Sequence, residues 1–253
     1  MNHFSPHLFR NLKYIRPVHP KHLLLIGIII SLSLILIATA VYPGGSQASA
    51  TTTGFDWKQN YLCNLFAPTA VNGAPNTARV WAITGWFIFC ASLAYFFVDF
   101  SKKISPAAQA SVPTASPNPA AAPAPAPART PGPARIIRYC GILGMLSAFL
   151  ATTPLHDPAI TAALIFTMIS TLYIVIIVLT SKFTAFKILG ILAMIIAYSA
   201  AAVYYTRFHL EILPTLQKAT LAAFLIFFLC LYYFTTREDF PPPRRKSTPP
   251  SNY

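Results

Sequence analysis

Charged, amide and histidine side chains are sparse in this chain, and at alternate connections between its apolar runs they are concentrated in three short stretches. The stretches cover residues 55–79, 153–158 and 207–211. Such a mixture of polar and aromatic residues is typical of a binding surface, because a plain connector needs only Gly, Ser and Thr. We therefore treat the three stretches as one candidate site, the polar cap. Its residues are Asp56, Trp57, Asn60, Asn72, Asn76, Arg79, His156, Asp157, Arg207, His209 and Glu211.

His156 is the cap residue best suited to proton transfer, because imidazole titrates near neutral pH. A carboxylate, Asp157 or Asp56, would orient its ring for general acid–base catalysis. The residues at 156, 157, 209 and 211 also contain two imidazoles and two carboxylates, which are ligands for a divalent metal. However, only two histidines face this side, and the GxSxG, HExxH and phosphate-binding glycine motifs are absent from the sequence. We expect no metal and no cofactor, and the sequence assigns no catalytic residue.

Arg79 stands where the second apolar helix is predicted to begin, at the positive end of the helix dipole. A cation there needs compensation, so we expect a salt bridge with a carboxylate, Asp56 first and Asp157 second. The alternative is an exposed arginine that reaches a lipid phosphate. Asp157 also has a local explanation, because Asp followed by Pro158 is typical of an N-cap with proline at the first helical position.

The cysteines point to no disulfide or metal framework. Cys63 is alone among the cap stretches, and Cys90, Cys140 and Cys230 fall within predicted helices. No CxxC pair is present. The thiols therefore add no expected function.

The cap stretches lie between six segments that are long and apolar enough to cross a hydrocarbon core of about 30 Å, which takes about 20 helical residues. With 55% hydrophobic and 10% charged residues among 253, the chain is too apolar for an ordinary soluble domain. The segments lie at 22–42, 80–98, 136–153, 159–180, 184–206 and 212–235. The predicted fold is all-α, an integral membrane bundle of six transmembrane helices.

Two of these helices carry small residues along one face, which lets a neighbouring helix approach closely. The residues are Gly141, Gly144, Ala148 and Ala151 in the third helix, and Gly190, Ala193, Ala197 and Ala201 in the fifth. We interpret both stripes as helix-packing surfaces.

The basic residues follow the positive-inside rule when the six segments alternate in direction. Of the 19 Lys and Arg residues, only four lie on the side of the cap, namely Lys58, Arg79, Arg207 and Lys218. We therefore expect both termini in the cytoplasm (N-in, C-in) and the cap outside a cell membrane, the inner membrane of a bacterium. Since topology accounts for the net charge of +13, the expected partners are membrane lipids and not nucleic acid. A protein partner stays open.

Composition divides the chain into parts. Residues 1–21 form a basic cytoplasmic N-terminus, residues 22–235 the transmembrane domain and residues 236–253 a cytoplasmic tail. A Pro/Ala-rich cytoplasmic loop at 104–134 interrupts the domain, and its composition predicts a disordered spacer. The apolar run at 23–41 is longer than that of a cleaved signal peptide, so we expect a retained signal anchor.

Several short motifs carry a resemblance to a known family. They are Asp56-Trp57-x-x-Asn60-Tyr61-Leu62-Cys63, Asn72-Gly73-x-x-Asn76-x-x-Arg79 and Pro154-Leu155-His156-Asp157. The chain resembles the bacterial membrane proteins called domain of unknown function 998, and more distantly it is similar to the damage-regulated autophagy modulator superfamily. The resemblance implies a six-helix fold and draws attention to Asn76, Arg79, His156 and Asp157. It implies no reaction.

Three functions are compatible with these features. The first is a non-enzymatic membrane protein whose polar cap binds lipid headgroups or a partner. The second is a transporter or flippase-like protein, which requires a polar path continuing inward from the cap. The third is a membrane-embedded enzyme acting on lipid headgroups, which requires His156 within hydrogen-bond reach of a carboxylate beside an open pocket. We expect the first.

Overall fold

The structure, a computed structural model, describes residues 20–105 and 132–240. Within these ranges the chain forms six α-helices and three short 3-10 helices, and it contains no β-strand. The α-helices are α1 Pro20–Ala40, α2 Arg79–Lys103, α3 Gly132–Leu150, α4 His156–Leu179, α5 Thr184–Thr206 and α6 Leu213–Phe234. The 3-10 helices are Leu62–Leu65, Leu210–Ile212 and Arg237–Asp239. The all-α prediction is confirmed.

Each of the six α-helices is long and apolar enough to cross a membrane, so the chain is a multi-pass membrane protein. Their bounds differ from the prediction by a few residues. Helix α2 extends to Lys103 instead of 98, and α4 begins at His156 instead of 159. Helix α3 begins at Gly132, so the predicted loop at 104–134 ends earlier. The predictions for residues 1–19, the centre of that loop at 106–131, and the tail at 241–253 lie outside the described residues.

Neighbouring helices approach closely where they carry small residues. Gly27 of α1 lies against Ser92 of α2, and Gly85 of α2 lies against Ser31 and Leu34 of α1. The predicted stripes are confirmed as packing surfaces at three glycines, and each meets a different helix. Gly141 contacts Phe97 of α2, Gly144 contacts Thr167 of α4, and Gly190 contacts Phe227 of α6.

Helices α2 and α6 meet through phenylalanine rings in the half of the bundle away from the cap. We call this set the aromatic core: Phe96, Phe97, Phe100, Phe227 and Phe228, all with less than 2% of their surface exposed. The rings of Phe96 and Phe228 stack with centroids 4.7 Å apart. Large buried rings fill space that would otherwise separate the helices. The aromatic core therefore closes this half of the bundle.

A second, smaller core lies at the opposite end, under the connection from α1 to α2. Tyr42, Leu65 and Phe66 of this connection are buried against Ala38 of α1 and Ala82 of α2. Residues 41–78 are thus folded onto the bundle end. We call this end, which also carries the connections at 151–155 and 207–212, the cap end.

The packing of Gly141 gives a test of the fold. Gly141→Ala is expected to lower the free energy of unfolding by about 1–3 kcal/mol, because overpacking a dense core forces side chains to shift. The new Cβ would lie 2.2 Å from Cγ of the fully buried Phe97. The measurement is thermal unfolding of the purified protein in detergent.

Gly132→Ala is the matched control, since a Cβ at Gly132 meets no atom within 4 Å. This variant should unfold at the temperature of the wild type or slightly above it, because Ala is the better helix former. Equal unfolding temperatures for the two variants would contradict the close contact between α2 and α3.

Candidate functional site

The connection at 41–78 is fastened to α6 by hydrogen bonds across the cap end. The backbone N–H of Leu62 donates to Oε1 of Gln217 at 3.0 Å, and Nζ of Lys218 donates to the carbonyl oxygen of Asn60 at 2.6 Å. Backbone polar groups outside helices need such partners at membrane depth. These bonds set the height of the connection relative to α6.

Asn60 is a structural residue of the polar cap. Its side chain is completely buried; Nδ2 donates to the carbonyl oxygen of Gly45 at 2.8 Å, and Oδ1 accepts from the backbone N–H of Asp56 at 2.9 Å. The Asp56 carboxylate accepts hydrogen bonds from the N–H groups of Lys58 and Gln59. Both residues therefore stabilise the turn at 56–60.

Asn76 holds the end of the connection where α2 begins. Its Nδ2 lies within hydrogen-bond distance of three carbonyl oxygens, and its Oδ1 accepts from a backbone N–H. The carbonyls belong to Asn64 (3.2 Å), Leu65 (3.1 Å) and Ala67 (2.8 Å), and the N–H belongs to Ala78 (3.1 Å). Because it is buried, Asn76 replaces the water that these groups would otherwise bind.

Two other predicted residues lie on the surface. Asn72 is exposed, and its Oδ1 accepts a hydrogen bond from the N–H of Ala74 at 3.0 Å. Trp57 is 49% exposed and packs edge-on against Phe55 with ring centroids 5.4 Å apart. Neither contacts the other cap residues through a hydrogen bond in the described part of the chain.

The predicted salt bridge of Arg79 is wrong. Its Nε donates a hydrogen bond to the carbonyl oxygen of Phe66 at 3.0 Å, and none of the ion pairs within residues 20–105 and 132–240 includes Arg79. The carboxylate of Asp56 is occupied by its own turn, and that of Asp157 contacts His156. A peptide carbonyl with its partial negative charge stands where a carboxylate was expected.

The N-cap interpretation of Asp157 is also wrong, because α4 begins two residues earlier than an N-cap at Asp157 requires. Leu155 occupies the N-cap position, and Asp157 lies in the first turn of the helix. There its Oδ1 is 2.9 Å from Nδ1 of His156. A carboxylate in the first turn still stabilises the helix, because its negative charge lies near the positive end of the helix dipole. In this position it also orients the imidazole of His156.

The turn between α5 and α6 brings the remaining cap residues to the same end. Arg207 and His209 adopt left-handed backbone conformations, with φ of 60° and 54°. The guanidinium of Arg207 lies over the ring of Tyr204, 5.4 Å from its centroid. Nδ1 of His209 is 2.8 Å from the Glu211 carboxylate. Arg207, like Arg79, belongs to none of the ion pairs in the described ranges.

A large cavity opens among these connections and extends into the bundle. Its volume is about 1130 Å³, slightly above the range of about 300–1,000 Å³ of ordinary ligand pockets. The rim is polar, and the deeper lining is mainly apolar. Rim residues include Tyr61, Cys63, Asn64, Arg79, His156, Arg207, Glu211 and Gln217, and deeper residues include Trp86, Phe89, Leu93, Leu164, Met168, Ala197, Phe224 and Phe228.

The cavity extends far along the helices that line it. On α2 its lining runs from Arg79 to Leu93, and on α4 from His156 to Met168. At 1.5 Å per helical residue these stretches measure about 20 Å. Phe228, a member of the aromatic core, lines the deep end. The cavity therefore spans the cap half of the bundle and is closed below by phenyl rings.

Cys63, Gln217 and Asn64 line the cavity, although the sequence did not indicate them as site residues. Nε2 of Gln217 donates to Sγ of Cys63 at 3.5 Å. Buried Nδ2 of Asn64 has no acceptor among the described residues. The isolated position of Cys63 on the cap side was the one available signal.

Tyr61 also faces the cavity next to Cys63. Burial raises the pKa of the Tyr61 phenol, and the neighbouring Cys63 adds to the increase. The phenol therefore stays protonated at neutral pH and can donate a hydrogen bond to a ligand at the rim.

The structure thus separates the predicted cap into two groups. Arg79, His156, Arg207 and Glu211 line the cavity. The other seven stabilise the connections or lie on the surface. The histidines sit in two separate pairs, His156 with Asp157 and His209 with Glu211, and the described ranges contain no group of three His, Cys, Asp or Glu side chains that could hold a metal.

The fold and the cavity together define a multi-pass membrane protein with a deep, polar-rimmed pocket at one end. Comparison of the chain with protein-family models, with curated proteins and with solved structures gives no match. The function is therefore argued from the geometry of the pocket.

The hydrogen bonds of Asn76 provide a test of how the connection at 41–78 is stabilised. Asn76→Ala is expected to destabilise the protein by about 1–3 kcal/mol, because it leaves buried carbonyl groups without a donor. Thermal unfolding in detergent measures the effect. Asn72→Ala is the matched control, and its exposed position predicts a change of about 0.5 kcal/mol or less. Equal losses of stability in both variants would refute the structural role of Asn76.

Proposed function

We propose that the protein binds one molecule of an anionic membrane lipid in this cavity, with the headgroup at the rim and an acyl chain between the helices. The observation that carries the proposal is the arrangement of the lining, which is polar and basic at the cap end and mainly apolar toward the aromatic core. An amphiphilic molecule has the same order of polar and apolar parts. Burial of its chain would be favourable by about 25 cal/mol per Å².

The depth of the cavity suits a chain from one leaflet. A hydrocarbon core of about 30 Å divides into two leaflets of about 15 Å each. The lining on α2 and α4 extends over about 20 Å from the cap end, and the stack of Phe96 on Phe228 closes the space below it. A lipid from the leaflet at the cap end would therefore fit with its headgroup at the level of Arg79 and His156.

The charge of the rim favours an anionic headgroup. Arg79 and Arg207 line the cavity without a carboxylate partner in the described ranges, whereas Glu211 contacts His209. Guanidinium groups bind phosphate oxygens through paired, charge-assisted hydrogen bonds. A phosphate would supply the negative charge that the described residues do not place beside either arginine.

The aromatic core argues against the transporter alternative. A transported polar group would need a path through the half of the bundle that lies beyond the cavity, and there the five core phenylalanines are buried against one another. The enzyme alternative is favoured by one specific observation, the contact of His156 with the Asp157 carboxylate beside the cavity.

We further propose that the chain is a bacterial inner-membrane protein of the domain of unknown function 998 family, with both termini in the cytoplasm. The support is the distribution of basic residues and the short motifs around Asn60, Asn76 and His156. In this orientation the cavity opens toward the outer leaflet.

Lipid retention tests the proposed function. The wild type, purified from membranes in a mild detergent, is expected to carry an anionic phospholipid detectable by mass spectrometry of the extracted lipids. Loss of a charged hydrogen-bond partner costs about 1.5–3 kcal/mol, so Arg79→Gln combined with Arg207→Gln should weaken retention at least about tenfold. Arg138→Gln, at the opposite end of the bundle, is the control with unchanged retention.

Two substitutions at neighbouring alanines distinguish a lipid bound in the cavity from lipids bound on the outer surface of the bundle. Ala201 lines the cavity, whereas Ala202 is exposed outside it. Ala201→Phe is expected to exclude the lipid, and Ala202→Phe to retain it, in the same extraction. A wild type without bound lipid, or equal lipid in both variants, would overturn the proposal.

The orientation is tested by cysteine labelling in intact cells. In a variant without the four native cysteines, Lys58→Cys is expected to react with a membrane-impermeant maleimide, because Lys58 is exposed at the cap end. Lys102→Cys, exposed at the other end, should react only after the membrane is permeabilised. The reverse pattern would show that the cap faces the cytoplasm.

A further inference from the structure

Helices α4 and α5 form one side of the cavity, and their close packing lies below it. There a Cβ added to Gly190 of α5 would lie 3.1 Å from Cγ2 of Val175 of α4, and both residues are buried. Nearer the cap, none of residues 160–169 of α4 and none of residues 198–207 of α5 is buried. Tight contact between two helices buries side chains of both, so the packing of α4 on α5 loosens toward the cap end.

The chain joins neighbouring helices at the cap end, but it does not join α4 to α5 there. The connection at 151–155 links α3 to α4, and the connection at 207–212 links α5 to α6. Helices α4 and α5 are linked at the opposite end, through residues 180–183. Their cap halves can therefore move apart without stretching a connection.

Hydrogen bonds at the cap end are also unevenly distributed among the helices. Nε1 of Trp86 on α2 donates to the carbonyl oxygen of Ala148 on α3 at 2.8 Å, and the connection at 41–78 is bonded to α6. Between α4 and α5 the described ranges contain one side-chain hydrogen bond, from Oη of Tyr205 to Oγ1 of Thr161 at 3.3 Å. Because Tyr205 is 55% exposed, its hydroxyl can exchange Thr161 for another partner at little net cost.

The bilayer lies directly outside this side of the cavity. Ile165 of α4 and Ile195 of α5 are exposed outside the cavity, at the level of the membrane. Ala163 and Ala200 of the same helices line the cavity. An acyl chain that passed between α4 and α5 would stay in apolar surroundings, whereas entry from the aqueous cap end would expose it to water.

We propose that the ligand is a bilayer phospholipid that enters the cavity sideways, between the cap halves of α4 and α5, when the hydrogen bond between Tyr205 and Thr161 breaks. This inference rests on the proposed function, because the lipid is the one bound in the cavity. It names the source of the ligand, which is the surrounding leaflet and not the aqueous phase. His156 begins α4 and Arg207 follows α5, so the headgroup would pass between two side chains of the polar rim.

The experiment cross-links the two helices across the proposed opening, in a variant without the four native cysteines. Thr161→Cys and Tyr205→Cys are joined by a short bis-methanethiosulfonate reagent, whose bonds to sulfur dithiothreitol reverses. The protein is held in vesicles of phosphatidylethanolamine and phosphatidylglycerol, and deuterated phosphatidylglycerol is then introduced by cyclodextrin exchange. Mass spectrometry of the lipid that the repurified protein retains gives the rate of uptake.

The cross-link should slow the uptake of deuterated lipid at least about tenfold, the lower end of the range over which association rates vary among variants of one site. Reduction with dithiothreitol should restore the rate of the cysteine-free parent. Tyr205→Phe removes the hydrogen bond and should speed uptake by a factor of about 2–10, which corresponds to the loss of one hydrogen bond.

The matched control joins the same two helices at the opposite end. Thr180→Cys and Thr184→Cys replace exposed residues on either side of the connection from α4 to α5, and their cross-link should leave the rate of uptake unchanged. The unfolding temperature is measured for every variant, so that a slow rate caused by misfolding is recognised.

The outcomes separate this inference from the proposed function. A parent protein that retains lipid but takes it up equally fast with and without the cross-link at 161 and 205 overturns entry between α4 and α5, and leaves lipid binding intact. Failure of this pair to cross-link, or an unchanged rate in Tyr205→Phe, overturns the role of the hydrogen bond. A parent protein that retains no lipid overturns the proposed function itself.

Discussion

The side-chain amide of Asn76 donates toward three carbonyl oxygens of the 64–67 segment, while its own oxygen accepts the N–H of Ala78. A connection at the end of a membrane bundle has few helical hydrogen bonds, and its buried polar groups must still be satisfied. Asn76 does this in the last turn before α2. The positions of Cys63 and Arg79 on either side of that turn depend on these bonds, and so does the polar rim of the cavity.

The cavity follows from uneven packing along the bundle. Away from the cap, large rings such as Phe96 and Phe228 fill the space between α2 and α6. Nearer the cap, residues such as Ala197 and Ala201 of α5 line the same interhelical space and leave it open. Small side chains allow two helices to pack closely only where the backbones meet; where the backbones stay apart, small side chains leave the space between them unfilled. The difference in side-chain size between the two halves thus produces a cavity that is open at the cap end and closed at its deep end by the phenyl rings.

At the cap end the carboxylates already contact other groups, whereas two arginines have no carboxylate partner in the described ranges. The three carboxylates of the cap each contact a neighbour in sequence: Asp56 its own turn, Asp157 His156 and Glu211 His209. Arg79 and Arg207 therefore face the cavity without a carboxylate partner in the described ranges. Both arginines are exposed, so their guanidinium groups are accessible to the anionic headgroup that we propose.

The sequence by itself determined the six helices. A segment can span the membrane when about 20 consecutive residues are apolar, and this can be counted along the sequence without knowledge of the fold. It also indicated the three polar stretches, since polarity between apolar segments is local information. The bounds of α2 and α4 shifted by a few residues, because the first and last turns depend on local hydrogen bonds. None of these properties requires knowledge of contacts between distant residues.

Only the tertiary structure decided which polar residues meet. Arg79 bonds to a carbonyl oxygen and not to Asp56, because the fold of the 56–60 turn uses that carboxylate first. Cys63 and His156 line the same cavity, and hydrogen bonds to Gln217 and Lys218 hold the first connection against α6 at this end of the bundle. Such pairings depend on side-chain geometry between segments far apart in the chain, and hydropathy and spacing carry no information about it.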